Sequence, residues 1–258
     1  MRITIDIYKS VQANAAYYYE RAKRSKKKIE GAQRAYEETL KKIENLSAKK
    51  EQRQKRQAEE RKRQWFEKFR WYSSSEGNLV IGGRDATTND IIIKKYLEPN
   101  DLVFHTQLKG SPFVIIKAGN QKITEEERED AAIFCASNSK QWEAKISLAD
   151  VYSIKPDQVK KEFGLPKGSF MIYGERTYYK APLELAIGLF QENKVMCGPL
   201  SAVKKQCKYI LSIRQGSMKK SDAAKKIRYF FHQKEKVDVD IDDIMQALPP
   251  GECDIKEL

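Results

Sequence analysis

The segment with the most chemical character is Gly82-Gly83-Arg84-Asp85-Ala86-Thr87-Thr88-Asn89. Two glycines after an apolar run permit positive φ or a close approach of backbone to a ligand, and Arg84 offers a planar guanidinium fork suited to phosphate. The same residues fit an internal role equally well, with Arg84 and Asp85 paired to tie a turn. The segment is neither a Walker loop nor a GxGxxG fingerprint. Downstream, Lys109, Lys117, Lys155, Lys167, Arg176, Lys204, Lys205, Lys219 and Lys220 interleave with Tyr173, Tyr178 and Tyr179. That mixture fits a surface that tracks phosphates and offers aromatic platforms to bases, or an ordinary solvated surface.

Catalytic patterns are sparse. His105 stands alone in the globular part, with no Ser or Cys nearby in sequence that resembles an activated nucleophile. Cys135, Cys197, Cys207 and Cys253 form no CxxC pair, and with only His105 and His232 to add they make no zinc set. They read as reduced thiols of a cytoplasmic protein. Asp238, Asp240, Asp242 and Asp243 have the density of a calcium loop but lack its glycine and its terminal Glu. No metal and no cofactor is expected.

The elements that must position these residues divide by charge. Residues 1–70 hold 21 Lys/Arg against 10 Asp/Glu, a net of +11 within a whole-chain +13. Residues 71–231 carry 25 against 18, and 232–258 carry 3 against 8. This predicts a basic arm (1–70), a globular domain (71–231) and an acidic tail (232–258) with a short helix. So basic a balance points to nucleic acid ahead of membrane, because no apolar run approaches the roughly 20 residues of a spanning helix and no signal-peptide core is expected.

In the arm, steps of three and four residues from Tyr8 pass Val11, Ala15, Tyr18, Ala22, Ser25, Ile29, Ala32, Tyr36, Thr39, Ile43 and Leu46, a coiled-coil seam. A helix from Asp6 to Arg70 would be about 90 Å long. Such a stripe needs an antiparallel mate from a longer chain or a second copy of this one, so a coiled-coil oligomer is one reading of the whole. The flanks, with Lys23, Arg24, Lys26, Lys27 and Lys28, are solvated or meet a polyanion.

After an aromatic hinge of Trp65, Phe66, Phe69, Trp71 and Tyr72, which reads as core packing, short apolar runs at 79–81, 91–93, 102–105 and 113–117 predict a β-meander. Thr124 with Glu127 forms a capping box for a helix to Trp142. Further strands are expected at 151–155, 169–173, 177–179 and 208–213, and a basic helix at 221–231 burying Ala224, Ile227 and Phe231. The fold class is α+β: a long coiled-coil helix, then a mixed, mainly antiparallel sheet with a few helices.

Residues 65–190 resemble the RNA-binding domain of the NFACT family of ribosome quality-control factors. The matching segments are Trp65-Phe66-Glu67-Lys68-Phe69-Arg70-Trp71, Ser75 to Asp85 with Asn89, His105 with Leu108 and Gly110, and Trp142-Glu143-Ala144-Lys145. Val151-Tyr152, Lys155-Pro156-Asp157-Gln158-Val159 and Leu165 to Ile172 continue the series, and Tyr8 to Ala15 with Tyr17-Tyr18-Tyr19 looks like the start of the family's returning coiled-coil half. The family often has a second His where Lys109 stands, and a basic residue where Tyr173 and Glu175 stand. The resemblance implies a factor that binds the large ribosomal subunit with stalled peptidyl-tRNA and helps recruit tRNA for C-terminal tailing. It implies that this portion, lacking the family's N-terminal modules, is a binding module and not an enzyme. Carried over by position, Gly82, Gly83, Arg84, Asp85, Asn89, His105 and Lys155 are nominated for RNA contact or for shaping contacting loops, and Lys109, Lys167 and Arg176 join them as basic positions in turns. Lys23, Arg24, Lys26, Lys27 and Lys28 are nominated for ribosomal RNA or a ribosomal protein. The competing class is an RNA-processing or RNA-modification accessory enzyme using His105, Arg84 and Asp85.

Overall fold

The computed structural model describes residues 4–58, 63–108, 110–119 and 122–258, and side chains within that set other than those of 41–58. The chain divides into two compact units, residues 1–63 and 64–258. The first is one helix, α1 (Val11–Ala58). Ser10 Oγ accepts from Ala13 N, and the Asn14 side chain closes the residues ahead of the helix by bonding the backbone of Asp6, Lys9 and Ser10. Of the expected seam, Val11, Ile29 and Tyr36 are 84 %, 64 % and 65 % exposed, so its apolar stripe lies open; Ile43 and Leu46 lie outside the described side chains.

The second unit runs β1 (Arg70–Ser73), β2 (Leu79–Gly82), α2 (Ala86–Ile91) continuing into a π-helical turn at Ile92–Tyr96, β3 (Leu102–Thr106), β4 (Val114–Lys117), α3 (Glu125–Ser137), α4 (Lys140–Glu143) and β5 (Leu148–Ile154). It continues with β6 (Val159–Lys160), β7 (Met171–Ile172), β8 (Thr177–Pro182), β9 (Glu184–Phe190), β10 (Lys194–Gly198), α5 (Leu200–Gln206), β11 (Lys208–Gln215), α6 (Lys220–Glu235), α7 (Ile241–Ala247) and β12 (Cys253–Glu257). The strands form a six-stranded sheet ordered β1-β2-β4-β3-β5-β8, a four-stranded sheet β10-β9-β11-β12, and the pair β6-β7. Every ladder among the described residues is antiparallel. The architecture is α+β.

Both faces of the large sheet are buried, which is why its strands read as continuous apolar runs. Val80, Phe104, Val114 and Ile116 point to the larger core, shared with α3, α6 and the four-stranded sheet. Their neighbours Ile81, Val103 and Ile115 point the other way, against Phe69, Phe113 and Tyr152. In the expected aromatic hinge, Phe69 and Tyr72 are fully buried, Phe66 packs on Trp71, and Trp65 stacks on Tyr96 at 4.5 Å while keeping part of its surface in solvent.

Three expectations give way. Ile91–Ile93 is not a strand: Asp85 accepts from Thr88 N in a capping box, and the helix it starts carries the β-branched run along, aided by the 2.6 Å Lys94–Asp90 pair one turn apart. The expected long arm helix does not reach Arg70, which begins β1 because Trp71 and Tyr72 pair with Ile81 and Val80. The acidic tail does not stand apart: β12 pairs with β11, Cys253 and Ile244 are buried, and Glu252 O accepts from Trp142 Nε1 at 2.9 Å. The capping box of Thr124 and Glu127 forms as read, but its helix breaks at Asn138, whose side chain bonds Phe134 O, and Ser139 caps α4 anew. Among the described residues no helix is long and apolar enough to cross a membrane.

Candidate nucleic-acid interface

Four loops meet at one end of the large sheet around a cleft of ≈ 740 Å³. The β2–α2 loop brings Gly83, Arg84 and Asp85, with Asn89 from the first turn of α2; the end of β3 and the β3–β4 loop bring His105 to Leu108 and Gly110 to Phe113; Asn138 and Lys140 come from the α3–α4 break; and Lys167 to Phe170 come from the β6–β7 segment. Six of the ten nominated residues in this unit therefore converge: Gly83, Arg84, Asp85, Asn89, His105 and Lys167.

Their roles divide sharply. Gly83 N donates to Phe113 O at 3.1 Å, and Phe113 N donates to Asn89 Oδ1 at 3.1 Å, so glycine, asparagine and the β4 entry form one clasp. A Cβ on Gly83 would stand 1.8 Å from Asn89 Oδ1, which is why no side chain fits there. The Arg84 guanidinium turns inward, donating to Glu67 O (3.0 Å), Phe69 O (2.9 Å) and Gln246 Oε1 (2.6 Å). It binds backbone and α7, and so braces the loop from behind. Asp85 caps α2; the backbone bond from Thr88 holds its carboxyl below the usual range against the opposing effect of burial, with smaller help from the Thr88 hydroxyl, Thr87 N and Lys167.

His105 is packed against Phe113 at 4.6 Å, and its Nδ1 lies 2.6 Å from Thr106 O. A carbonyl only accepts, so Nδ1 carries the proton. Burial pulls the imidazole below its ordinary pKa and Arg176 adds to the effect, outweighing the backbone bonds of Thr106 and Ser111. At neutral pH His105 is an uncharged ring. Arg70, beneath the cleft, donates to Gly83 O at 3.2 Å and is drawn down to about 10 by burial and then by its neighbour Arg84.

The remaining nominees lie elsewhere. Gly82 is buried in β2 under Phe134. Lys155 is exposed beyond β5, outside the cleft lining, and its N–H bonds Gln158. Arg176 stacks over Tyr152 at 4.7 Å and reaches the cleft only through that ring. Lys109 lies outside the described residues. Lys23, Arg24, Lys26, Lys27 and Lys28 are exposed on α1, in the other unit. Lys117, read from sequence as a turn cation, ends β4 and pairs with Asp101 at 2.6 Å. Lys140 was not foreseen: it is exposed at the α3–α4 break, its stem held against Gly110, and no local pattern advertises it. The cleft thus gathers Arg70, Arg84, Lys140 and Lys167 against one carboxylate, Asp85, beside the aromatic rings of Phe113, Tyr152 and Phe170. The cysteine thiols offer no nucleophile: burial pushes Cys135 and Cys207 up to about 12 and Cys253 up to about 11.

A basic, aromatic-edged cleft built on loops of an antiparallel α+β scaffold is a nucleic-acid-binding arrangement. Residues 68–174 match the family described as NFACT protein RNA binding domain. That stretch is therefore an NFACT RNA-binding domain. The chain is 38 % identical over 204 residues to the Archaeal Rqc2 homolog aRqcH of Methanocaldococcus jannaschii, covering 76 % of this chain and 30 % of that one. Over 204 residues it is 34 % identical to the Ribosome quality control complex subunit NEMF homolog of Drosophila melanogaster (72 % of this chain, 20 % of that one). Over 176 residues it is 35 % identical to the human Ribosome quality control complex subunit NEMF (64 % and 16 %). The chain spans less than a third of the length of these relatives.

Proposed function

We propose that this chain is the RNA- and ribosome-engaging portion of a ribosome quality-control factor, acting in the cytoplasm. On this reading it engages the large subunit carrying stalled peptidyl-tRNA and helps recruit tRNA for C-terminal tailing, without turnover of its own. The observation that carries it is the charge of the cleft, four cations against one carboxylate, within a domain of a family described as RNA binding. Phosphates supply the affinity, with Lys140 and Lys167 as the accessible cations. The α1 flanks run along ribosomal RNA or a ribosomal protein, and the open α1 stripe takes either the upstream half of a longer chain or a second copy. The internal commitments of Arg84 and Asp85 favour binding over a catalytic use of His105, Arg84 and Asp85.

The test is equilibrium binding of the full chain to tRNA across a salt series, with a GC-rich RNA duplex as competitor. A steep slope of log K against log salt is expected, with tRNA preferred, and Lys140→Ala and Lys167→Ala each removing about 0.7 to 0.9 from the slope. A flat slope, or no binding, overturns the reading.

A further inference from the structure

The segment joining β6 to β7 is a finger. Its base is the antiparallel pair Val159↔Ile172 and Lys160↔Met171, and Gln158 Nε2 locks that base by donating to Tyr173 O at 2.7 Å and Glu175 O at 2.8 Å. Lys161 Nζ turns into the loop, donating to Pro166 O at 2.7 Å and Ser169 O at 2.9 Å, with the Phe170 ring 5.0 Å away. Gly168 N donates to Asp90 Oδ1 at 3.0 Å, fastening the returning arm to α2. Gly164, at φ +83°, makes the turn directly after the tip.

That tip is Phe163, at 108 % relative exposure, above every other large apolar side chain described in the protein. Scattered exposed apolar residues are common and need no reason. Here a closely bonded loop holds a phenyl ring clear of the surface. The finger also carries Lys160, Lys161 and Lys167 against a single carboxylate, Glu162, which accepts from Tyr173 Oη. Its returning arm, Lys167 to Phe170, is one wall of the cleft. An aromatic ring on a segment that also carries exposed cations and whose returning arm walls a basic cleft has the complementarity of an unpaired nucleic-acid strand: phosphates go to Lys160 and Lys167 and a base to the ring. A duplex hides its base faces and offers nothing for the tip.

We propose that Phe163 is a stacking platform for an unpaired base of the bound RNA, adjacent to the nucleotides whose phosphates enter the cleft. This rests on the RNA-binding reading above and narrows it to single-stranded RNA. The experiment compares wild type, Phe163→Ala and Phe163→Trp, all in the full chain, for binding to a short oligoadenylate and to a GC-rich RNA duplex. Phe163→Ala should bind oligoadenylate about 5- to 100-fold more weakly, with an unchanged salt slope and less than about a twofold effect on duplex. Phe163→Trp should retain affinity, and its added emission should be quenched by oligoadenylate. Equal affinity of wild type and Phe163→Ala for oligoadenylate overturns the platform while leaving RNA binding standing, and directs the tip to a protein partner. Failure of wild type to bind either RNA overturns the broader reading, and the platform with it.

Discussion

Gly83→Ala is the sharpest test of how the cleft is held. The added Cβ would meet Asn89 Oδ1 at 1.8 Å and Asn89 Cγ at 2.8 Å, distances that the amide cannot share. Asn89 must swing away, and Phe113 N, in a residue only 3 % exposed, then loses its acceptor. Stranding a buried backbone donor costs roughly 1–3 kcal/mol, so Gly83→Ala should destabilise the second unit by about 2–3 kcal/mol once the tight residual contact at Asn89 N is added. Asn89→Ala strands the same donor and should cost about 2 kcal/mol. Because the first substitution acts by displacing the second residue, the double variant should cost about the same as either single one, giving a coupling on the order of 2 kcal/mol. Urea unfolding followed by tryptophan emission reports on this unit alone, since all 3 tryptophans, Trp65, Trp71 and Trp142, lie within it. Midpoints should fall with m unchanged. Additive losses in the double variant, or a Gly83→Ala protein as stable as wild type, would refute the clasp.

Two more outcomes follow from the geometry. Asp130 on α3 is pushed up to about 6, first by burial and further by Glu126, Glu129 and Glu127, despite the Ser201 hydroxyl, whose one proton faces both carboxylate oxygens. Its folded pKa lies above the unfolded one, so its stabilising share is present below about pH 4 and lost as pH rises through about 6. Asp130→Asn should therefore be more stable than wild type at pH 8, on the order of 1 kcal/mol after solvent screening, and show little gain at pH 4; an equal difference at both pH values counts against this account. The open stripe of α1 should drive self-association of the isolated chain, seen as a concentration-dependent sedimentation coefficient that Ile29→Glu with Tyr36→Glu abolishes. A monomer at every concentration would refute self-pairing and leave the stripe to an upstream segment.

Much of the large sheet was legible because β2, β3 and β4 are short apolar runs bounded by glycine and proline, and the Thr124–Glu127 box and the Ala224, Ile227, Phe231 face of α6 are local signals that tertiary packing had no reason to overrule. Ile91–Ile93 misled because three isoleucines favour a strand while Asp85, six residues earlier, had already set a helix in motion. The family resemblance nominated Gly83, Asn89 and His105 together, yet said nothing of Arg84's direction, which depends on Gln246 more than 160 residues away. Lys140 was hidden for the same reason: it reaches the cleft only because the helix breaks at Asn138 and the β3–β4 loop, through Gly110 O, lies beside it.

The closing strand β12 and its neighbour α7 give the protein an order of assembly. Gln246 grips Arg84, Glu252 O receives the indole of Trp142, and β12 completes the edge of the smaller sheet. All three partners precede residues 241–257 in the chain, so until α7 has been made the Arg84 guanidinium is held by the backbone of Glu67 and Phe69 without the Gln246 acceptor. A chain cut after α6 would keep every residue that lines the cleft but lose the Gln246 grip on Arg84 and the acceptor of the Trp142 indole, so segments remote from the cleft set how firmly its walls are held.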